Sequence, residues 1–194
     1  APENGELRRA WSEFCAASLE SLCADICEAV VGVDPGIELG LMTIGYSHST
    51  YGGHPINRWM RALGADRGRP GHLYYSDHER GKLLDKALDV ARLIRDYPPV
   101  ETIQYELENY PYITLDKAVR TVRNECSAAL IVGCDGIAFN IFGGQPGLLA
   151  DCEPLMDGIA ADRPIWEALV AGAAGLPLVG LWPADSRMLM ANRE

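Results

Sequence analysis

The feature that most constrains this chain is a helix-then-strand order that recurs four times. Leu7, Trp11, Phe14, Cys15, Leu19, Leu22, Ile26 and Val30 recur at steps of three and four, which predicts one long amphipathic helix over 7–31. Pro35 and Gly36 then turn the chain into 37–44 (IELGLMTI), a short and nearly continuous apolar run of the kind covered on both faces in a parallel sheet. The order returns as a helix over 56–63 before a strand at 72–76, a helix over 82–96 before a strand at 102–107, and a helix over 115–132 before a strand at 136–142. The stripe Leu84, Ala87, Leu88, Ala91 and Ile94 predicts the inward face of the third helix. Ala118, Val119, Val122, Cys126, Ala129 and Leu130 predict that of the fourth. Strands separated by helices of this length pair parallel, through right-handed crossovers. The fold class is therefore α/β: four consecutive units with parallel strands, forming either half of a (β/α)8 barrel or an open doubly wound sheet. An irregular stretch follows, then a helix predicted from Pro164, a residue suited to a first helical turn, to about 173, and an irregular tail over 174–194. The 194 residues suit a single domain.

Composition removes several functions. Seventeen basic residues stand against twenty-seven acidic ones, a net charge of -10, so a basic face able to neutralise nucleic-acid phosphates is not expected. The most apolar stretch, 165–182, is broken by Glu167, glycines and Pro177, and predicts no membrane span; no targeting segment is evident. Cys15, Cys23, Cys27, Cys126, Cys134 and Cys152 include no CxxC pair. They read as plain buried thiols and not as metal ligands, and point to a reducing, cytoplasmic setting.

Polar residues collect at the carboxyl ends of the strands, where both candidate architectures carry their functional groups. In 101–112 (ETIQYELENYPY), side-chain alternation puts Thr102, Gln104, Glu106 and Glu108 on one face and Ile103, Tyr105 and Leu107 on the other. The polar face cannot lie against helices, so it faces a barrel interior with Glu106 at the mouth. A carboxylate there is costly to bury unless hydrogen-bonded or functional; the plainer reading of Glu106 and Glu108 is that of solvated loop carboxylates. Asn140 stands opposite Ile137 and Phe139, either as a satisfied core amide or as a donor facing a ligand. Tyr75, Ser76, Asp77 and His78 cluster after the second strand, Asp77 being equally readable as a helix cap. Tyr46, Ser47, His48, Ser49, Tyr51 and His54 fill a glycine-bent loop after the first strand. Rings and hydroxyls of this kind suit sugar recognition. There is no GxGxxG, no GxxxxGK[ST] and no GxSxG, so no nucleotide cradle or serine elbow is expected, and no cofactor is implied.

The run IQYELENYPY, with the following LDKAVRTVRNECSAALIVGCDGIAFNIFG, resembles the seventh and eighth units of retaining glycoside hydrolases with a (β/α)8 barrel, nearest the family 42 β-galactosidase-like group and its uncharacterised relatives. The resemblance is one of pattern and order across most of the chain, with the strand-seven glutamate its specific point. It implies that the chain is the carboxyl-terminal half of a longer enzyme, with Glu106 the nucleophile and Glu108 the reserve candidate. Tyr46, His48, Tyr75, Asp77 and Asn140 would line the sugar site. The acid/base glutamate of these enzymes ends strand four, which this chain lacks, so the isolated chain is expected to be inactive. A half barrel leaves sheet edges and apolar surface open, which predicts pairing with the missing amino-terminal half or, for the fragment alone, a homodimer. The competing class is a non-catalytic module that binds carbohydrate or another small molecule.

Overall fold

The computed structural model describes residues 4–43, 56–71, 74–96, 100–109, 116–140, 152–177 and 179. In chain order the elements are helix α1 (Gly5–Val33), strand β1 (Gly40–Thr43), helix α2 (Ile56–Leu63), strand β2 (Arg67–Pro70), a single 3-10 turn (Asp77–Glu79), helix α3 (Gly81–Asp96), strand β3 (Thr102–Glu108), helix α4 (Val119–Ile131), strand β4 (Gly136–Asn140) and helix α5 (Glu153–Ala173). The four strands form one all-parallel sheet in the order β1-β2-β3-β4. The predicted α/β class holds. Among the described strands the order never reverses, as in part of a (β/α)8 barrel and within one half of a doubly wound sheet. Right-handed crossovers in such an order lay the helices side by side on one face. Consistent with this, α1 packs on α2, α2 on α3, α3 on α4 and α4 on α5.

Between helices and sheet lies a core of Ile56, Met60, Val90, Ile103, Tyr105, Leu107, Val122, Cys126, Ala129, Leu130, Cys134 and Trp166. Ile103, Tyr105 and Leu107 project into it as alternation predicts, while Gln104 is exposed and Glu106 and Glu108 are half-buried on the opposite face. The register carries that parity across the sheet. Met42 lies beside Arg69, Glu106 beside Ala138 and Glu108 beside Asn140. Among the described residues no helix covers the opposite face of the sheet, and this helix-free face is a polar surface with a hollow of about 310 Å³ over Met42, Arg67, Arg69, Thr102 and Gln104.

Several boundaries differ from the sequence reading. The second strand is Arg67–Pro70 and not 72–76. Its residues RGRP carry no strand signature, yet Gly68 and Pro70 are buried, Arg67 and Arg69 point to the open face, and the Gly71 N–H donates to the Thr43 carbonyl (2.7 Å). Tyr74 and Ser76, which look like strand residues, are buried beyond its end. Pro164 does not open the last helix but lies inside it; the helix starts at Glu153, with Pro154 in its first turn. On α1 the inward face is Cys15, Ala16, Leu19, Cys23, Cys27 and Val30, whereas Leu7, Trp11, Phe14, Leu22 and Ile26 are exposed. The physical reason is that, among the described residues, α1 packs mainly against α2, a contact closed by ion pairs from Arg58 to Glu13 and Glu20. On α3 the buried stripe is Lys86, Ala87, Val90 and Ala91, with Leu84 and Leu88 outside it. Cys126 and Cys134 are buried; Cys15, Cys23, Cys27 and Cys152 are only partly so, and all six thiols are free. Among the described residues no helix is long and apolar enough to cross a membrane.

Candidate functional site

Three strand ends meet at the carboxyl edge of the polar face. Glu106, its side chain 17% exposed, forms an ion pair from Oε1 to Arg69 Nη2 at 2.8 Å. Its carboxyl is held above the usual glutamate range, first by burial and second by the neighbouring Glu108 charge, with Arg69 and Lys86 pulling the other way. Glu108, two residues on and on the same face, accepts a long hydrogen bond from Asn140 Nδ2 (3.4 Å). Strand geometry therefore unites three of the predicted residues, Glu106, Glu108 and Asn140, as alternation and register require.

Gly71 makes this arrangement possible. A Cβ at that position would lie 1.7 Å from Glu106 Oε2 and 3.2 Å from the Thr43 carbonyl oxygen, so the backbone passes where a side chain would displace the carboxylate. Gly71→Ala is expected to swing Glu106 off Arg69 at a stability cost of about 1 kcal/mol, because the colliding atom ends a flexible side chain. Without the Arg69 charge the Glu106 carboxyl should titrate at higher pH. A carbon-13 NMR titration that finds it unmoved in a folded Gly71→Ala chain rules out the close approach.

The other predicted residues separate. Asp77 acts as a strut. Its N–H donates to the Asp116 carbonyl (2.9 Å), and its Oδ2 accepts from the Ala118 N–H (3.2 Å) at the start of α4, the next unit's helix and not its own turn. Ser76 is buried, with its hydroxyl 2.9 Å from His78 Nδ1, and Tyr75 is half-buried before that turn. Tyr46 and His48, with Ser47, Ser49, Tyr51 and His54, lie outside the described residues. Among the described residues no group of three or more His, Cys, Asp and Glu could hold a metal ion.

Behind the site, on the helix side of β3, sits a cluster that pattern reading misses. Lys86 of α3, Lys117 ahead of α4 and Glu125 of α4 are all buried, Glu125 completely. The Glu125 carboxylate accepts the Tyr105 hydroxyl (2.7 Å), pairs with Lys117 and lies 3.8 Å from the Lys86 ammonium. Lys86 donates to the Glu106 carbonyl, and Lys117 donates to those of Glu108 (3.3 Å) and Tyr74 (3.2 Å). Each ammonium also stacks on a ring, Lys86 at 4.5 Å from the Tyr105 centroid and Lys117 at 4.1 Å from that of Tyr74. Burial pulls the Lys86 ammonium down to about 8. The available signal was positional: Lys86 lies one turn before the buried Val90, and Glu125 directly precedes the buried Cys126.

No protein-family model, no curated protein and no solved structure matches this chain.

Proposed function

We propose that the chain is the nucleophile-bearing part of a retaining glycoside hydrolase barrel, with Glu106 attacking the anomeric carbon of a carbohydrate substrate and Glu108 and Asn140 binding the sugar beside it. The observation that carries this reading is Glu106 itself. It is a half-buried carboxylate at the carboxyl end of a parallel strand, on the helix-free face, with a guanidinium at 2.8 Å from Arg69 and a second carboxylate two residues on. The arginine offsets part of the upward pull of burial and of Glu108, which favours the anionic form a nucleophile needs. In the first step a Glu106 oxygen bonds to the anomeric carbon, and the aglycone departs with the bonding electrons and a proton from an acid carboxyl. That acid is assigned to the amino-terminal half of the barrel. The same reading gives that half the exposed Leu7, Trp11, Phe14 and Leu22 stripe on α1, or a second copy of this chain in its absence. The six free thiols support a reducing, cytoplasmic setting.

Activated 2-deoxy-2-fluoro glycosides test the assignment directly, because a dinitrophenolate leaving group needs no protonation and the fluorine slows release of the covalent intermediate. Incubation of the intact protein with a panel of them is expected to add one sugar mass to the peptide carrying Glu106, and Glu106→Gln is expected to abolish the adduct. An adduct on Glu108 overturns the choice of nucleophile. Sugar binding with no adduct from any member of the panel favours a non-catalytic carbohydrate-binding module and overturns the enzyme reading.

A further inference from the structure

Among the described residues, the buried cluster behind β3 holds two lysines and one glutamate, an excess of one positive charge when all three are ionised. Glu125 pairs with Lys117 and is hydrogen-bonded by Tyr105, so the charge pair closes without Lys86, whose ammonium stands farther off at 3.8 Å. A buried ammonium beyond what its partner balances does not favour the fold, since its desolvation is not recovered. Its Nζ donates instead to the backbone carbonyl of Glu106, and Lys117 holds the carbonyl of Glu108 two residues on. The two ammonium groups thus grip, from the helix side, the backbone of the two residues whose carboxylates stand on the open side.

We propose that Lys86 is a positioning residue for the Glu106–Glu108 pair: its ammonium fixes the carboxyl end of β3 and places a positive charge behind it that favours the ionised form of Glu106. This rests on the reading of that pair as the working carboxylates, but it concerns the state of Glu106 and not the reaction it enters. Among the described residues, the groups facing Lys86 are Glu125 from α4, Lys117 from the turn before it, Tyr105 from β3 and Cys134 ahead of β4, with the Glu106 and Glu108 carboxylates on the far side of the sheet. Of these, Glu125 attracts the ammonium most, Lys117 repels it, and Glu108 and Glu106 attract it more weakly.

The test uses this chain with carbon-13 at the glutamate carboxyl and the lysine Cε, the Glu106 signal being assigned by its loss in Glu106→Gln. Lys86→Met leaves the Glu125–Lys117 pair balanced, so its urea midpoint is expected to be unchanged or higher. The Glu106 titration midpoint should nevertheless rise by about half a pH unit or more, and Lys86→Arg should bring it back toward the wild-type value. In the unmutated chain the Glu106 carboxyl signal should also show a second inflection that coincides with the Lys86 Cε titration on the alkaline side of neutrality. A folded Lys86→Met chain with an unmoved Glu106 midpoint overturns the proposal. If that variant does not fold, absence of the coincident inflection in the unmutated chain overturns it instead. Neither readout depends on turnover, so failure of the fluoro-glycoside trapping removes the glycosidase reading without altering these results.

Discussion

Glu125→Leu is expected to lower the stability of this chain at pH 7 by about 3–5 kcal/mol, the range for removing one partner of a buried ion pair. Leucine is close to glutamate in size, so the change of volume offers no reason for a large loss. The loss comes from what remains: the buried Lys86 and Lys117 ammonium groups and a Tyr105 hydroxyl deprived of the oxygen it donates to at 2.7 Å. Among the described residues the two cations would then have carbonyl oxygens and rings as their direct partners. Lys86 already titrates near 8 with the carboxylate beside it, and losing that carboxylate drives it lower. Part of the destabilisation is therefore relieved when Lys86 sheds its proton, so the deficit should be smaller at pH 9.5 than at pH 7. Urea unfolding of both chains at the two pH values measures it. A deficit below 1 kcal/mol at pH 7 means that the cluster is not closed to water as described.

The same cluster marks where pattern reading stops. Class, strand number, parallel pairing and the two faces of β3 follow from periodicity, because Ile103, Tyr105 and Leu107 alternate without exception with Thr102, Gln104 and Glu106. Asn140 falls on the face opposite Ile137 and Phe139 for the same reason, but its place beside Glu108 is a matter of strand register, which periodicity does not set. Strand β2 is illegible because nothing in RGRP favours a strand; it is extended through pairing on both sides, with β1 along its length and with β3 at its start. Missing that strand hides Arg69, the partner of Glu106, and Gly71, whose absent side chain gives the carboxylate room. On α1 the apolar stripe is real, but periodicity cannot tell a face that is packed from one that merely could be. Leu7, at 69% exposed, lies on the second kind. Lys86, Lys117 and Glu125 escape because a charged side chain scores as surface until its partner is known, and the partners here lie 8 to 39 positions apart along the chain.

Above pH 9 the stability of the chain is expected to fall steeply. The buried Cys126 thiol is pushed up to about 12, mainly by burial and next by the Glu125 charge, and Cys134 is pushed higher still, mainly by burial and next by Asp135. A group whose folded value is raised contributes stability that is complete below its unfolded value, near 9 for these thiols, and is lost as pH climbs toward the folded one. Each thiol that must stay protonated costs about 1.4 kcal/mol per pH unit in that window. Tyr74, raised by burial to about 12, adds the same sign of slope above 10. Lys86 opposes them. Its folded value is lowered, so the native chain releases a proton that the unfolded chain keeps, and stability rises between about 8 and 10.5. One rising slope against two falling thiol slopes places the turnover near pH 9, with a net decline beyond it. Urea unfolding under reducing conditions from pH 7 to 11 is expected to trace this profile, and Cys126→Ala with Cys134→Ala should turn the decline between 9 and 10 into a rise, since only the Lys86 slope is left there. If the double variant declines as steeply as the unmutated chain, the two thiols are not shielded from water by the packing of α4 against the sheet.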